Sequence, residues 1–155
     1  MTNTPIKILV IGEYSIFRSG LRMLLETDTN LRIIGEASKL ETAQQIVEEE
    51  SPDLILVDLP DLAEKDHFSF LENVTIPVLV LVGKYDAGVY QRCLTIGVRG
   101  LVLKEENADT LFKAIAKIHD GEIWFDRMIM GQTILQLVSE KRLLKEYPKA
   151  HVTNA

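Results

Sequence analysis

The sequence predicts an α/β fold built on a doubly wound parallel sheet, and three observations carry that expectation. Four continuous apolar runs recur: Ile8-Leu9-Val10-Ile11, Leu54-Ile55-Leu56-Val57, Val78-Leu79-Val80-Leu81-Val82 and Leu101-Val102-Leu103. They lack the period-two alternation of a half-exposed strand, as parallel strands covered on both faces do. Segments with helical apolar spacing lie between them. Strand and helix alternate five times within about the first 120 residues, a pattern that requires right-handed crossovers.

The first run leads into a helix whose apolar face is Phe17, Leu21, Leu24 and Leu25. The mixed segment Leu31-Arg32-Ile33-Ile34-Gly35-Glu36-Ala37 suits an edge strand. Ser38 and Glu41 form a capping-box signature for a second helix carrying Leu40, Ala43, Ile46 and Val47. After the third strand, a short helix is expected near Phe68 to Leu71. Val89, Cys93 and Ile96 mark the next helix, which Gly97 should stop. The last helix of the repeat carries Leu111, Ile115 and Ile118, is capped by Asn107 and ends at Gly121. Residues 122–125 read as an aromatic connector. A further helix is expected from about Asp126 to Tyr147, stopped by Pro148, with Ile134, Leu135, Leu137 and Val138 needing a partner surface. These boundaries divide the chain into residues 1–121 and residues 122–155, the latter a linker and C-terminal helix.

At 155 residues, 46% apolar and 26% charged, the chain is expected to form an ordinary globular domain without a membrane span. The N-terminus has no signal-peptide pattern, and a lone cysteine, Cys93, excludes an internal disulfide, so a cytoplasmic setting is expected. A net charge of −6 argues against nucleic-acid binding by these residues. Late cations (Lys141, Arg142, Lys145, Lys149) are diluted by Glu140 and Glu146, and the three histidines are scattered without zinc-ligand spacing.

In doubly wound sheets, ligands bind outside the carboxyl ends of the strands. This chain places Gly12-Glu13 there after the first strand, Asp58 after the third, Val82-Gly83-Lys84 after the fourth and Lys104 after the fifth. Taken alone, Asp58 also fits a turn-forming role and Glu13 a solvated loop acid. Two carboxylates and a lysine converging on one crevice suit a divalent metal and a phosphoryl group. Hard oxygen ligands favour magnesium, and a lysine supplies a point charge for a phosphate oxygen.

Four segments, ILVIGEYSIFRSGLRMLLE, PDLILVDLPDL, IPVLVLVGKYD and IGVRGLVLKEENADTLFKAI, in this order resemble the receiver domain of bacterial two-component response regulators, NarL/FixJ (LuxR-type) family, over about residues 6–121. The resemblance implies a flavodoxin-like (βα)5 sheet in the order 2-1-3-4-5. It also implies that Asp58 accepts a phosphoryl group from a sensor histidine kinase. Glu13, Asp58 and the backbone carbonyl of Pro60 would bind Mg2+, Lys104 would pair with a phosphoryl oxygen, and the Gly83 backbone would face the phosphoryl group. The domain would assist its own phosphorylation without being an enzyme. It would form a homodimer, and reach DNA only through an output domain absent from this chain.

The departures from the family pattern are specific. Gly12 stands where the first acid of the metal-binding pair belongs, Val82 replaces a hydroxyl residue, and Leu101 replaces the aromatic that rotates on activation. The loop after Asp58 lacks the usual proline position and later glycine. Val82 alone removes a hydrogen bond to a charged group, about 1.5–3 kcal/mol. The alternative is therefore a degenerate receiver that works as a phosphorylation-independent interaction module. A flavodoxin-like cofactor binder or hydrolase is disfavoured, because Ile11-Gly12-Glu13-Tyr14-Ser15 is no glycine-rich phosphate loop and no Ser/His pair is present.

Overall fold

Residues 4–59 and 65–146 are described in a computed structural model of the chain. The elements in order are β1 (Ile6–Ile11), α1 (Ser15–Leu25), β2 (Leu31–Ala37), α2 (Leu40–Glu50), β3 (Leu54–Leu59), α3 (Lys65–Asn73), β4 (Val78–Val82), α4 (Ala87–Ile96), β5 (Gly100–Leu103), α5 (Ala108–His119) and α6 (Arg127–Glu146). The chain divides into two compact units, the first ending at Trp124 and the second beginning at Phe125.

In the first unit all five strands pair in parallel, in the order β2-β1-β3-β4-β5. The apolar runs explain the arrangement. Every residue of β3 and β4 is buried, so these strands can only sit inside the sheet with helices on both faces. β2 carries the mixed pattern and takes the edge, where its pairing with β1 shifts register between Ile8 and Leu9. On one face, Ile8, Val10, Leu56, Leu79 and Leu81 pack with Leu21 and Leu25 of α1 and with Leu111, Ile115 and Ile118 of α5.

Several boundaries differ from the expectations. The third strand does not stop at Val57: Asp58 pairs with Leu81 and Leu59 with Val82, because Leu59 is as buried as the run before it. The capping box at Ser38 does not form. Lys39 is the N-cap of α2 and makes no side-chain cap hydrogen bond. By contrast, Asn107 does cap α5, its side chain accepting from Thr110 N at 2.9 Å. Gly97 closes α4 with φ 89°, a conformation that side chains resist.

The aromatic connector is part of the sheet edge. Trp124 forms a parallel bridge to Gly100, donating to Arg99 O and accepting from Leu101 N, both at 2.9 Å. Gly100 is required there, since a Cβ would lie 2.7 Å from Ile118 Cδ1 and 3.0 Å from Trp124 O.

In the second unit, Asp126 Oδ1 accepts from Ile129 N and starts α6, matching the expected beginning. Ile134, Leu135 and Val138 are exposed on it. The expected end, at Tyr147 and Pro148, lies outside the described residues. Among the described residues, no helix is long and apolar enough to cross a membrane.

Candidate functional site

The site grows from the end of β3. Parallel pairing places the carboxyl ends of β1, β3, β4 and β5 along one edge of the sheet, where Asp58 is the last residue but one of β3 and Glu13, Gly83 and Lys104 follow shortly after β1, β4 and β5. Among the described residues, Asp58 is the one charged residue that is buried, at 2% exposure. A carboxylate in that position needs a cation, because an isolated buried charge is prohibitively costly.

Lys104 supplies it. The lysine directly follows β5, where its backbone N–H donates to Val82 O at 2.8 Å, and its Nζ forms an ion pair with Asp58 Oδ1. The same ammonium lies 4.5 Å from the centroid of the Phe17 ring on α1, a cation–π contact that aims the side chain. Asp58 Oδ2 is left over. It is buried and has no hydrogen-bond partner among the described residues. An unpartnered buried carboxylate oxygen is the usual mark of a working group or of a missing ion.

Gly12 borders the same oxygen. A Cβ at this position would lie 3.3 Å from Asp58 Cβ, 3.7 Å from Asp58 Oδ2 and 3.2 Å from Arg18 Cγ. The stem of Arg18 therefore leans over the glycine, and its Nη1 donates to the Gly12 carbonyl. Glu36 at the end of β2 holds the guanidinium from the other side, with Nε 3.4 Å from Oε1. Glu36 also accepts from Arg22 Nη1 at 2.7 Å, and this bond raises the Arg22 pKa. Neither Arg18 nor Glu36 was expected from the sequence. A signal existed: Arg18 is a cation in the first turn of a helix, where the dipole disfavours it.

The remaining members of the predicted set are less gathered. Glu13 is exposed in the loop between β1 and α1. Gly83 is exposed directly after β4, next to Val82, whose strand partner is Leu59. Pro60 lies outside the described residues. Val82 and Leu101 are buried aliphatics, at 1% and 8% exposure, so neither brings a hydroxyl or an aromatic ring to the edge. No group of three or more His, Cys, Asp or Glu side chains suited to a metal occurs among the described residues. The observation that would suit a magnesium ion, which keeps several waters, is the buried Asp58 Oδ2, which lacks a hydrogen-bond partner among the described residues.

A family model for the response regulator receiver domain matches residues 8–116. The chain is 26% identical over 150 residues to the transcriptional regulatory protein YdfI of Bacillus subtilis, covering 95% of this chain and 70% of that protein. It is 28% identical over 131 residues to the response regulator protein VraR of Staphylococcus saprophyticus, covering 81% of this chain and 62% of that one. Among solved structures, a LuxR-family two-component response regulator from Aurantimonas superposes with a TM-score of 0.74 at 19% identity, covering 87% of this chain and 99% of that chain. The isolated REC domain of RcsB from Salmonella enterica gives 0.70 at 16% identity, covering 82% and 97%. At such identities the superpositions establish the fold alone.

Proposed function

We propose, from the premise that this chain belongs to the response regulator receiver domain family, that Asp58 accepts a phosphoryl group from a sensor histidine kinase and that the domain thereby controls a DNA-binding output. The observation that carries this reading is the state of Asp58. It is buried, its Oδ1 is tied to Lys104, and its Oδ2 has no hydrogen-bond partner among the described residues.

The Asp58 carboxylate attacks phosphorus, a new O–P bond forms, and the donor's bond to phosphorus breaks with its electron pair leaving on the donor. Lys104 moves from the carboxylate to a phosphoryl oxygen, a short change for an ammonium already anchored over Phe17. Glu13, Asp58 and the Pro60 carbonyl would hold magnesium, which when bound offsets charge on the transferring group. The Gly83 backbone N–H would face the phosphoryl oxygens. The domain assists this transfer but is not a conventional enzyme, and a cytoplasmic setting and homodimerisation accompany the reading.

The buried aliphatics Val82 and Leu101 support a second reading, a phosphorylation-independent interaction module. Phosphate-affinity gels separate the two. Wild type and Asp58→Asn are incubated with acetyl phosphate or with the partner kinase, with and without Mg2+. A shifted band in wild type alone, dependent on Mg2+, is the expected result. Identical unshifted bands under all conditions would leave the interaction module as the function.

A further inference from the structure

We propose that the groove between α1 and α5 binds a small carboxylate with an apolar chain, its head held by Lys104 and its chain lying along α1. This goes beyond the phosphoacceptor reading and does not rest on it. The groove has a volume of about 390 Å3, inside the range of about 300–1,000 Å3 typical of small-molecule sites. Phe17 and Leu24 of α1 and Leu111 of α5 give it apolar walls. Ile16, 88% exposed, stands at its margin. From Phe17 to Leu24 the helix rises about 10 Å, the reach of a medium-length acyl chain. Gly20 opens the middle of this stretch. It lies in the interior of α1, where glycine weakens a helix relative to alanine. Among the described residues, nothing outside its own stretch of helix comes within 4 Å of the point its Cβ would take. The packing of this chain therefore gives no reason for a missing side chain there, and the space belongs to the groove.

The chemistry of the head follows from the charges. Among the described residues that line the groove, Lys104 is the one cation. Its side chain is 28% exposed and its Nζ lies 4.5 Å from the centroid of the Phe17 ring, so the ammonium stands where the apolar wall begins. An ammonium carries three donors and Asp58 Oδ1 takes one, which leaves donors for a second carboxylate. The one acid on the lining, Glu106, is turned to the chain's own backbone, its Oε2 accepting from Leu103 N at 2.8 Å. A cation at one end of an apolar groove is complementary to an apolar chain that ends in a carboxylate.

Decanoate and decanol, one chain with and without the charge, are titrated into the full isotope-labelled protein near neutral pH, and the backbone amides are followed by NMR. Decanoate should shift amides of α1 and α5 saturably and bind about five-fold more tightly than decanol, the size expected of a partly exposed ion pair. Gly20→Leu fills the groove where nothing else of the chain stands in the way, and should abolish binding in a protein that circular dichroism shows to be folded. Lys104→Met keeps the apolar walls and should lower decanoate to the affinity of decanol. Should Lys104→Met fail to fold, Gly20→Leu and the decanol comparison decide. Decanoate that does not bind wild type, binds no more tightly than decanol, or binds Gly20→Leu as it binds wild type overturns the proposal. Sedimentation altered by Gly20→Leu, with no decanoate binding to wild type, would assign the groove to a second copy of the chain and equally overturn it.

Discussion

Lys104→Met isolates the ion pair at the centre of the site, because methionine keeps an unbranched apolar stem against Phe17 and removes only the ammonium. The two partners differ in what they can do once separated. Asp58 is 1% exposed in its side chain and cannot turn to water, whereas Lys104 is 28% exposed and can. Breaking a fully buried pair costs about 3–5 kcal/mol, and the solvent access of Lys104 reduces this to about 2 kcal/mol here. For a chain of this size that is a fall in Tm of about 4–8 °C. Asp58→Asn should be milder, about 0.5–1 kcal/mol, since the released lysine swings into solvent and a neutral amide is less costly to bury. In the double variant the uncompensated charge is gone, so the effects should couple by about 1.5 kcal/mol instead of adding. Urea unfolding followed by the fluorescence of the single tryptophan, Trp124, suits the measurement, because that residue packs against the core and bridges the sheet edge. Strict additivity, or a Lys104→Met protein as stable as wild type, would show that the pair does not hold the site.

Gly100→Ala should destabilise the domain by about 2–3 kcal/mol in the same urea assay, because the added methyl meets Ile118 and the Trp124 carbonyl; a loss under 0.5 kcal/mol would refute the close approach. Cys93 is fully buried, and burial pushes its thiol from 9.0 up to about 12. Folded protein at pH 8 should therefore resist iodoacetamide until denaturant is added. Because the folded value lies above the unfolded one, the contribution of this group to stability is intact below about pH 9 and is lost as pH rises toward about 12. Replacing Leu135 and Val138 of α6 with Lys should lower the oligomeric state seen by analytical ultracentrifugation, given their exposure of 69% and 49%; unchanged sedimentation would count against an interface there.

How far the sequence reveals this molecule depends on how local the cause is. Strand identity is local: uninterrupted apolar runs such as Val78 to Val82 can be satisfied only between two helical layers, so β4 is legible from five letters. The convergence of Asp58 and Lys104 is not local, yet it was legible, because the parallel topology places the ends of β3 and β5 on one edge. Two local signals misled. Ser38 and Glu41 have capping-box spacing, but the backbone reaches its helical turn one residue later, with Lys39 as the cap. Asp58 looked like the residue after a strand, although burial of Leu59 carries the pairing past it. Tyr90, 1% exposed, was missed beside Val89 and Cys93 because its hydroxyl disguises a core position. Arg18 was hidden for a different reason. Its partners are the backbone carbonyl of Gly12 and the carboxylate of Glu36 in β2, and neither pairing can be read from its own neighbours.

Phosphoryl acceptance by the buried carboxylate near the end of β3 is tested most directly by chemical trapping. After exposure to acetyl phosphate and Mg2+, reduction with borohydride converts an aspartyl phosphate to homoserine, and peptide sequencing by mass spectrometry locates the converted residue. Homoserine at position 58, absent when donor is omitted and absent in Asp58→Asn, is the predicted result. An unconverted Asp58, or conversion at any other acid, would contradict it.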